Sequence, residues 1–539
     1  MVRHRALWLL IATLGLMSLA CNAFVGNVEP ALQPPPTLAI GEPPGVGTAV
    51  PGQTIIAPTV TLPAEGAATA TLDVPMLTAL VDVNVRKGPG VIYDTDGFLL
   101  QDEMVLVVGR DPQSSWWKIE CPPRADGPEC WVSGRAQYTA VNLSEAVPVA
   151  EVPPTPTPQP QDIGPVLAYM DGGRLFVRSL NTGQSPITAG DPVQLSERND
   201  VLELAISPNG RYIAYLAGNR SVGELHVMNI DGSNAEPLVS VTDLPVAGAQ
   251  AQPETTALID QFAWRPDSQA LYFNTRVINP SGPGGGSQED LWQVTLAGES
   301  TQLFAPGSGA GVFAVSSGGQ ILMSRRDAIL RVGSAGSEAI IQFTPINTAS
   351  EAPYYPQPQW TTDGQRALVA IPSSDPLAVD AQATLWQIPI SGAAMQLGSI
   401  SGNILPSPIM WSPDGNRLAY VLSGQSPLLL LAGTGGQDLS TYHSDPALAF
   451  LRWGPDSIHF LYSGSDFYGI GQPGQSPKIN TVATGLRVVK AEWLTGDAFV
   501  LAIGSRGAWT LTSGTVDGGS TPLQPLNATQ PVFDVWMNQ

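Results

Sequence analysis

The sequence predicts an all-β chain in which a small barrel precedes a β-propeller of eight blades, or of seven if its last third is read differently. Two observations carry that prediction. The 539 residues include 56 Gly and 50 Pro, too much punctuation for a helical protein and enough for many short strands joined by turns. One strand-turn-strand pattern also returns along the C-terminal 375 residues, and a self-similar unit of that period is the signature of a repeat architecture. Hydrophobic residues make up 43%, enough to supply a core.

The clearest copy is Trp411-Ser412-Pro413-Asp414-Gly415-Asn416-Arg417-Leu418-Ala419-Tyr420. Proline presets φ at the second turn position, the aspartate bonds its own backbone, and glycine takes the positive φ that a return strand needs. The register repeats at Ile206-Ser207-Pro208-Asn209-Gly210, Trp264-Arg265-Pro266-Asp267-Ser268, Trp360-Thr361-Thr362-Asp363-Gly364 and Trp453-Gly454-Pro455-Asp456-Ser457. Weaker copies begin at Val315 and Trp493. The spacing suits four short strands per unit. Val166 to Asn181 reads like the second and third strands of a unit lacking its first, and Pro531 to Trp536 reads like a first strand alone, so the two ends should complete one blade. Such a closure leaves no open sheet edge. Seven copies and this shared blade give eight; seven blades result if 445–524 holds one distorted unit.

These units resemble the propeller repeats of TolB-type periplasmic proteins, most fully over 201–239, where Leu225 to Gly232 supplies a third strand ending in Asp-Gly. That resemblance implies a fold and no particular function.

The chain start carries a different signal. Arg3, His4 and Arg5 precede an apolar run from Ala6 to Met17, the length of a secretory signal and too short for a spanning helix. Ser18-Leu19-Ala20-Cys21 resembles the lipobox of bacterial lipoproteins, with Ser18 where that family usually has Leu, and implies lipidation of Cys21 and anchoring to the outer face of the membrane; an uncleaved signal anchor is the alternative. Residues 22–75, rich in Pro, Thr, Gly and Ala, read as a tether reaching on the order of 100 Å if extended.

From 76 to 142 the composition becomes globular. Val83-Asn84-Val85-Arg86-Lys87-Gly88-Pro89-Gly90, Tyr93, Gly97-Phe98, Met104 to Gly109, Trp116-Trp117-Lys118-Ile119 and Trp131-Val132-Ser133 follow in the order and spacing of a bacterial SH3-like domain, which the segment resembles. The resemblance implies recognition of cell-wall peptide or glycan through aromatics, here Tyr93, Trp116, Trp117 and Tyr138. Alternation along a strand sends one of Trp116 and Trp117 inward and the other outward. Cys121 and Cys130 stand at mirror ends of one hairpin and are expected to form a disulfide, as an exported chain permits. Residues 143–162, with Pro153-Pro154-Thr155-Pro156-Thr157-Pro158, read as a linker before the propeller at 163–539.

The formal charge of −21 repels phosphate backbones and excludes nucleic acid as an expected partner. No nucleophile elbow is present, Gly469 to Gly474 matches a dinucleotide fingerprint by letters only, and His226 and His459 read as structural residues of strands. Isolated turn aspartates do not assemble a metal site, and no cofactor is expected. Long insertions in blades two to five fall on the face opposite the Ser-Pro-Asp-Gly turns, where Arg276, Asp290, Tyr354 and Tyr355 are the candidate contacts for a protein or glycan partner. The expected function is therefore a non-catalytic, lipid-anchored binding or scaffold protein. The second reading is a glycan hydrolase or lyase using loop carboxylates such as Glu289, Asp290, Asp375 and Asp380.

Overall fold

The computed structural model describes residues 74–537 apart from 91–92, 126, 154–163, 184–186, 220–221, 247–254, 279–285, 334–335, 351 and 425. The segment read as a signal sequence, Cys21, and all but the last two residues of the segment read as a tether lie outside the described residues.

Seven short strands build the small domain: Met76–Ala79, Val83–Arg86, Thr95–Leu99, Met104–Arg110, Trp116–Ile119, Trp131–Ser133 and Thr139–Val141. They form one antiparallel sheet in the order third, second, sixth, fifth, fourth, first, seventh. Leu77, Val85, Leu99, Trp117 and Ile119 fill its core. Trp117 opposes Val132 and Lys118 opposes Trp131, and just beyond this ladder Cys121 and Cys130 are joined by the expected disulfide. Residues 143–150, expected from the sequence to open a linker, instead pack on the small domain. Val147 is buried, the Arg110 amide donates to the Pro148 carbonyl at 2.9 Å, and the Ala150 amide donates back to the Arg110 carbonyl at 2.8 Å, so 143–150 belong to the small domain.

The remaining strands make eight separate antiparallel sheets, one per blade. Inner strands run Val201–Ile206, Thr256–Trp264, Phe313–Val315, Gln359–Trp360, Met410–Trp411, Ala449–Trp453 and Arg487–Trp493 for blades two to eight. Blade one takes its inner strand, Phe533–Trp536, from the C-terminal end and pairs it with Val166–Asp171, Phe533 opposite Tyr169 and Trp536 opposite Val166. The region 445–524 holds two blades, each of four strands.

The recurrent turn is built as its residues require. Gly415 has φ +69°, its amide donates to the Ser412 carbonyl at 2.7 Å, and the Asp414 carboxylate accepts the Asn416 amide at 3.0 Å. The bulky residue before the turn acts between blades. The indole of Trp264 donates to the Ala205 carbonyl at 3.1 Å, that of Trp360 to Ala314 at 3.2 Å and that of Trp453 to Met410 at 2.9 Å, each reaching the preceding blade. Across the closing seam Lys490 donates to the Phe533 carbonyl at 2.5 Å, and Asp534 accepts the Ile206 amide at 2.8 Å. The apolar core lies between neighbouring blades: one cluster joins Val500 and Leu511 of blade eight, Tyr169 and Phe533 of blade one, and Ile213 and Tyr215 of blade two.

Candidate functional site

The small domain is seated against blades two and three. Arg86, 1% exposed at its side chain, pairs with Glu236 at 2.5 Å and donates its other terminal nitrogen to the Tyr93 carbonyl at 2.9 Å. Asn84 donates to the same Glu236 oxygen at 2.8 Å. Contrary to the expectation that ring closure leaves no open sheet edge, each blade keeps its outer edge, because closure pairs only the inner strand; Glu236 opens the outer strand of blade two, Glu236–Val239, whose outward carbonyls have no further strand to accept from. Arg135 supplies those donors, reaching the carbonyls of Pro237 at 3.1 Å and Leu238 at 2.5 Å. It also reaches the Gly298 carbonyl in blade three at 2.9 Å. A Cβ at Gly298 would stand 2.1 Å from the Arg135 guanidinium, so this close approach needs glycine, whose φ of +84° suits the turn as well. The contacted turns of blades two and three join third to fourth strands. In an antiparallel blade these lie on the same side of the ring as the Ser-Pro-Asp-Gly turns, opposite the long insertions.

Between the two parts runs a cleft of about 400 Å³, within the size range of small-ligand sites. The small domain contributes Trp116, Tyr138 and Arg135 to it, and blade two contributes Tyr215, Glu224 and His226. The last two stand two residues apart on the strand Val222–Asn229, so the pleat puts them on one face. His226 lies opposite Tyr215 on the neighbouring strand, and their rings stack at 5.1 Å. His226 Nε2 is 3.2 Å from Glu224 Oε2. Burial, helped by the nearby Arg198, pushes the His226 pKa below its usual value against the pull of Glu224, which favours the neutral ring at pH 7, and a neutral ring facing a carboxylate does so with its N–H as donor. Arg198 is itself held by both oxygens of Asp200, at 2.9 and 2.8 Å. Burial raises the Tyr138 and Tyr215 phenols, the latter to about 12.

The aromatics named from sequence divide between core and cleft. Trp116 and Trp117 do point to opposite sides, yet both are covered, at 6% and 7% exposure. Trp117 enters the small domain's core, whereas the outward Trp116 meets the propeller and donates its indole N–H to the Ala297 carbonyl at 3.1 Å. Tyr93 is not a surface platform: it is buried, with its hydroxyl donating to the Pro153 carbonyl at 2.7 Å. Tyr138 is half-buried on the cleft wall.

The insertion-face candidates prove more structural than expected. Asp290 is 0% exposed and accepts the Thr275 amide at 2.8 Å, the Thr275 hydroxyl at 2.6 Å and the Trp292 indole at 2.7 Å. It locks two strands of blade three and is withdrawn from any partner. Arg276 stays half-exposed, 3.3 Å from Asp260. Tyr354 packs against the core between blades four and five. Tyr355 lies over Gly311 and donates its hydroxyl to Glu289 at 2.7 Å, and Arg326 holds the same carboxylate oxygen at 2.5 Å. Glu289 and Asp290 are therefore occupied by separate structural partners. Asp375 and Asp380 are exposed on a loop of blade five. Among the described residues no group of three or more His, Cys, Asp or Glu is arranged to hold a metal, and no helix is long and apolar enough to cross a membrane.

Arg135, Arg198, Tyr215 and Glu224 were not singled out from the sequence; Arg86 entered only as part of the small-domain motif, and His226, read as a structural residue of a strand, does stand in one but also lines the cleft. One signal was available: Glu224 and His226, at the spacing of one strand face, interrupt an otherwise apolar third strand.

No family model matches the chain, and no curated protein matches it. Among solved structures it is similar to a eukaryotic initiation factor, at 11% identity over 70% of this chain and 98% of the other, with a TM-score of 0.41. TolB from Acinetobacter baumannii gives 15% identity over 51% and 63% of the two chains, with a TM-score of 0.29. An oligogalacturonate lyase in complex with manganese gives 12% over 60% and 84%, with a TM-score of 0.37. These names describe unlike activities, and likenesses of this degree carry neither ligand nor reaction over to this chain.

Proposed function

We propose that this chain is an extracytoplasmic binding protein, lipid-tethered through Cys21, whose ligand site is the cleft between an SH3-like small domain and blades two and three. The observation that carries the reading is the seating of the small domain by Arg86 and Arg135, which turns two surfaces into one preformed concavity. Preformed sites lose little entropy on binding. The cleft offers aromatic walls and both signs of charge, which suit a cell-wall peptide or glycan. The disulfide fits an oxidising compartment. The propeller's insertion face, with Arg276 and the exposed part of the Tyr355 loop, remains available to a second protein or glycan.

Retention of the full chain on isolated cell-wall sacculi tests the reading. Ala235→Trp, which places a bulky side chain in the cleft from an exposed wall position, should abolish retention while leaving the melting temperature nearly unchanged. Equal retention of the variant and the unaltered chain would move the site elsewhere. Cys21→Ala should shift the protein from the membrane fraction to the soluble one.

A further inference from the structure

The floor of the cleft holds one carboxylate whose charge its surroundings do not cancel. Arg86 is matched by Glu236, Arg198 by Asp200, and Arg135 is spent on backbone carbonyls. Glu224 meets the neutral His226 ring and, at 3.4 Å, the Ser240 hydroxyl, and among the described residues no Lys or Arg pairs with it. Its side chain keeps 28% exposure and lines the cleft. The stacked Tyr215 and His226 rings lie beside it, and Trp116 and Tyr138 line the small domain's side. The faces of Trp and Tyr rings attract cations.

Resting on the cleft as the ligand site, we propose that Glu224 is the counter-ion for a primary ammonium group of the ligand, carried by a lysine-type side chain or by a peptide amino terminus. An ammonium fits better than a guanidinium. Each Glu224 oxygen already has a neighbour, Oε2 the His226 ring and Oε1 the Ser240 hydroxyl, so the carboxylate lacks the open two-oxygen edge that a guanidinium fork uses. A compact ammonium needs only one lone-pair direction at a time. Arg198, already held by Asp200, leaves that approach without a competing cation in ion-pair contact with Glu224.

The test is calorimetric titration of the full chain with three capped peptides. Acetyl-Gly-Lys-Gly-amide carries only a side-chain ammonium, its Nε-acetylated form carries none, and Gly-Ala-Gly-amide carries only an amino-terminal one. One of the two charged peptides should bind roughly tenfold or more tighter than the acetylated peptide, the size of one charge-assisted hydrogen bond, and which one does so identifies the source of the amine. Glu224→Gln should remove that preference. Asp82→Asn, at an exposed carboxylate on the rim, should keep it. Equal affinity for charged and acetylated peptides, binding of none, or a preference that survives Glu224→Gln would each overturn the assignment. Retention on sacculi without amine preference would retire this inference and leave the cell-wall reading standing. Amine preference without retention on sacculi would do the reverse.

Discussion

Arg86 and Glu236, one in the second strand of the small domain and the other at the start of the outer strand of blade two, form a 2.5 Å ion pair whose guanidinium is almost wholly removed from solvent. Such a pair resists being broken from one side, because the remaining charge stays buried without its partner. Glu236→Ala should therefore cost about 3 kcal/mol of stability, the range for a disrupted buried pair. It should also split one unfolding transition into two, as the small domain releases from the ring. Denaturant unfolding followed separately by near-ultraviolet dichroism and by cleavage in 154–163 checks both outcomes.

Ser457 occupies the turn position that glycine takes in other copies and holds φ at +58°, while its hydroxyl accepts the Asp414 amide of the neighbouring blade at 3.0 Å. Ser268 does the same for Asn209 at 3.1 Å, so the departure from glycine serves a blade-to-blade bond. Ser457→Ala keeps the strained φ and loses the bond, and should destabilise by about 1–2 kcal/mol. Ser457→Gly should cost less, since relief of strain offsets part of the loss. Denaturant midpoints of the two variants should rank in that order.

Ending the chain at Gln530 removes the inner strand of blade one. Phe533 leaves the core, the Ile206 amide loses Asp534, and the Trp536 indole no longer reaches the Pro208 carbonyl at 2.9 Å. The exposed edge of Val166–Asp171 becomes a template for pairing between molecules. The truncated chain should melt far below the full-length one and aggregate. A melting temperature within a few degrees of the parent would mean that the ring does not depend on this closure.

His226 should give stability a pH dependence in the mildly acidic range. Its folded-state pKa lies below the unfolded value, so below about pH 6.5 the unfolded chain binds the proton first and stability falls with pH until the folded-state value is passed. The turn aspartates act lower. Asp267, held down chiefly by its bond from Arg265, and Asp363, held down chiefly by the Thr361 hydroxyl, contribute stability above the unfolded carboxylate range that is lost as pH falls through their depressed values. His226→Phe keeps a ring against Tyr215 and should flatten the curve just below about pH 6.5 while leaving the loss in the carboxylate range, below about pH 4, in place. Chemical denaturation across that range measures it.

The all-β class, the repeat with eight blades ahead of seven, the closure by both ends and the disulfide were legible from the residues alone, and the two separate sheets over 445–524 settle the count at eight. Each of these is written in short-range chemistry. Ser412 to Arg417 contains every atom that closes its turn, and Cys121 and Cys130 flank one hairpin. The blade count was narrowed to eight or seven because a local unit repeated at a readable period. The site was another matter. Alternation put one of Trp116 and Trp117 on each side of the strand without saying which, and what outward meant for Trp116 was decided by Ala297, far along the chain, which covers it. Asp290 and Tyr355 looked like loop residues available to a partner until Thr275, Trp292 and Glu289 closed around them. Glu224 and His226 read as part of an ordinary strand until the small domain came to rest beside them. Burial and ion pairing across long sequence separations depend on which surfaces meet. Only the tertiary structure brings Arg86 to Glu236, Arg135 to the edge of blade two, and a lone carboxylate to the floor between them.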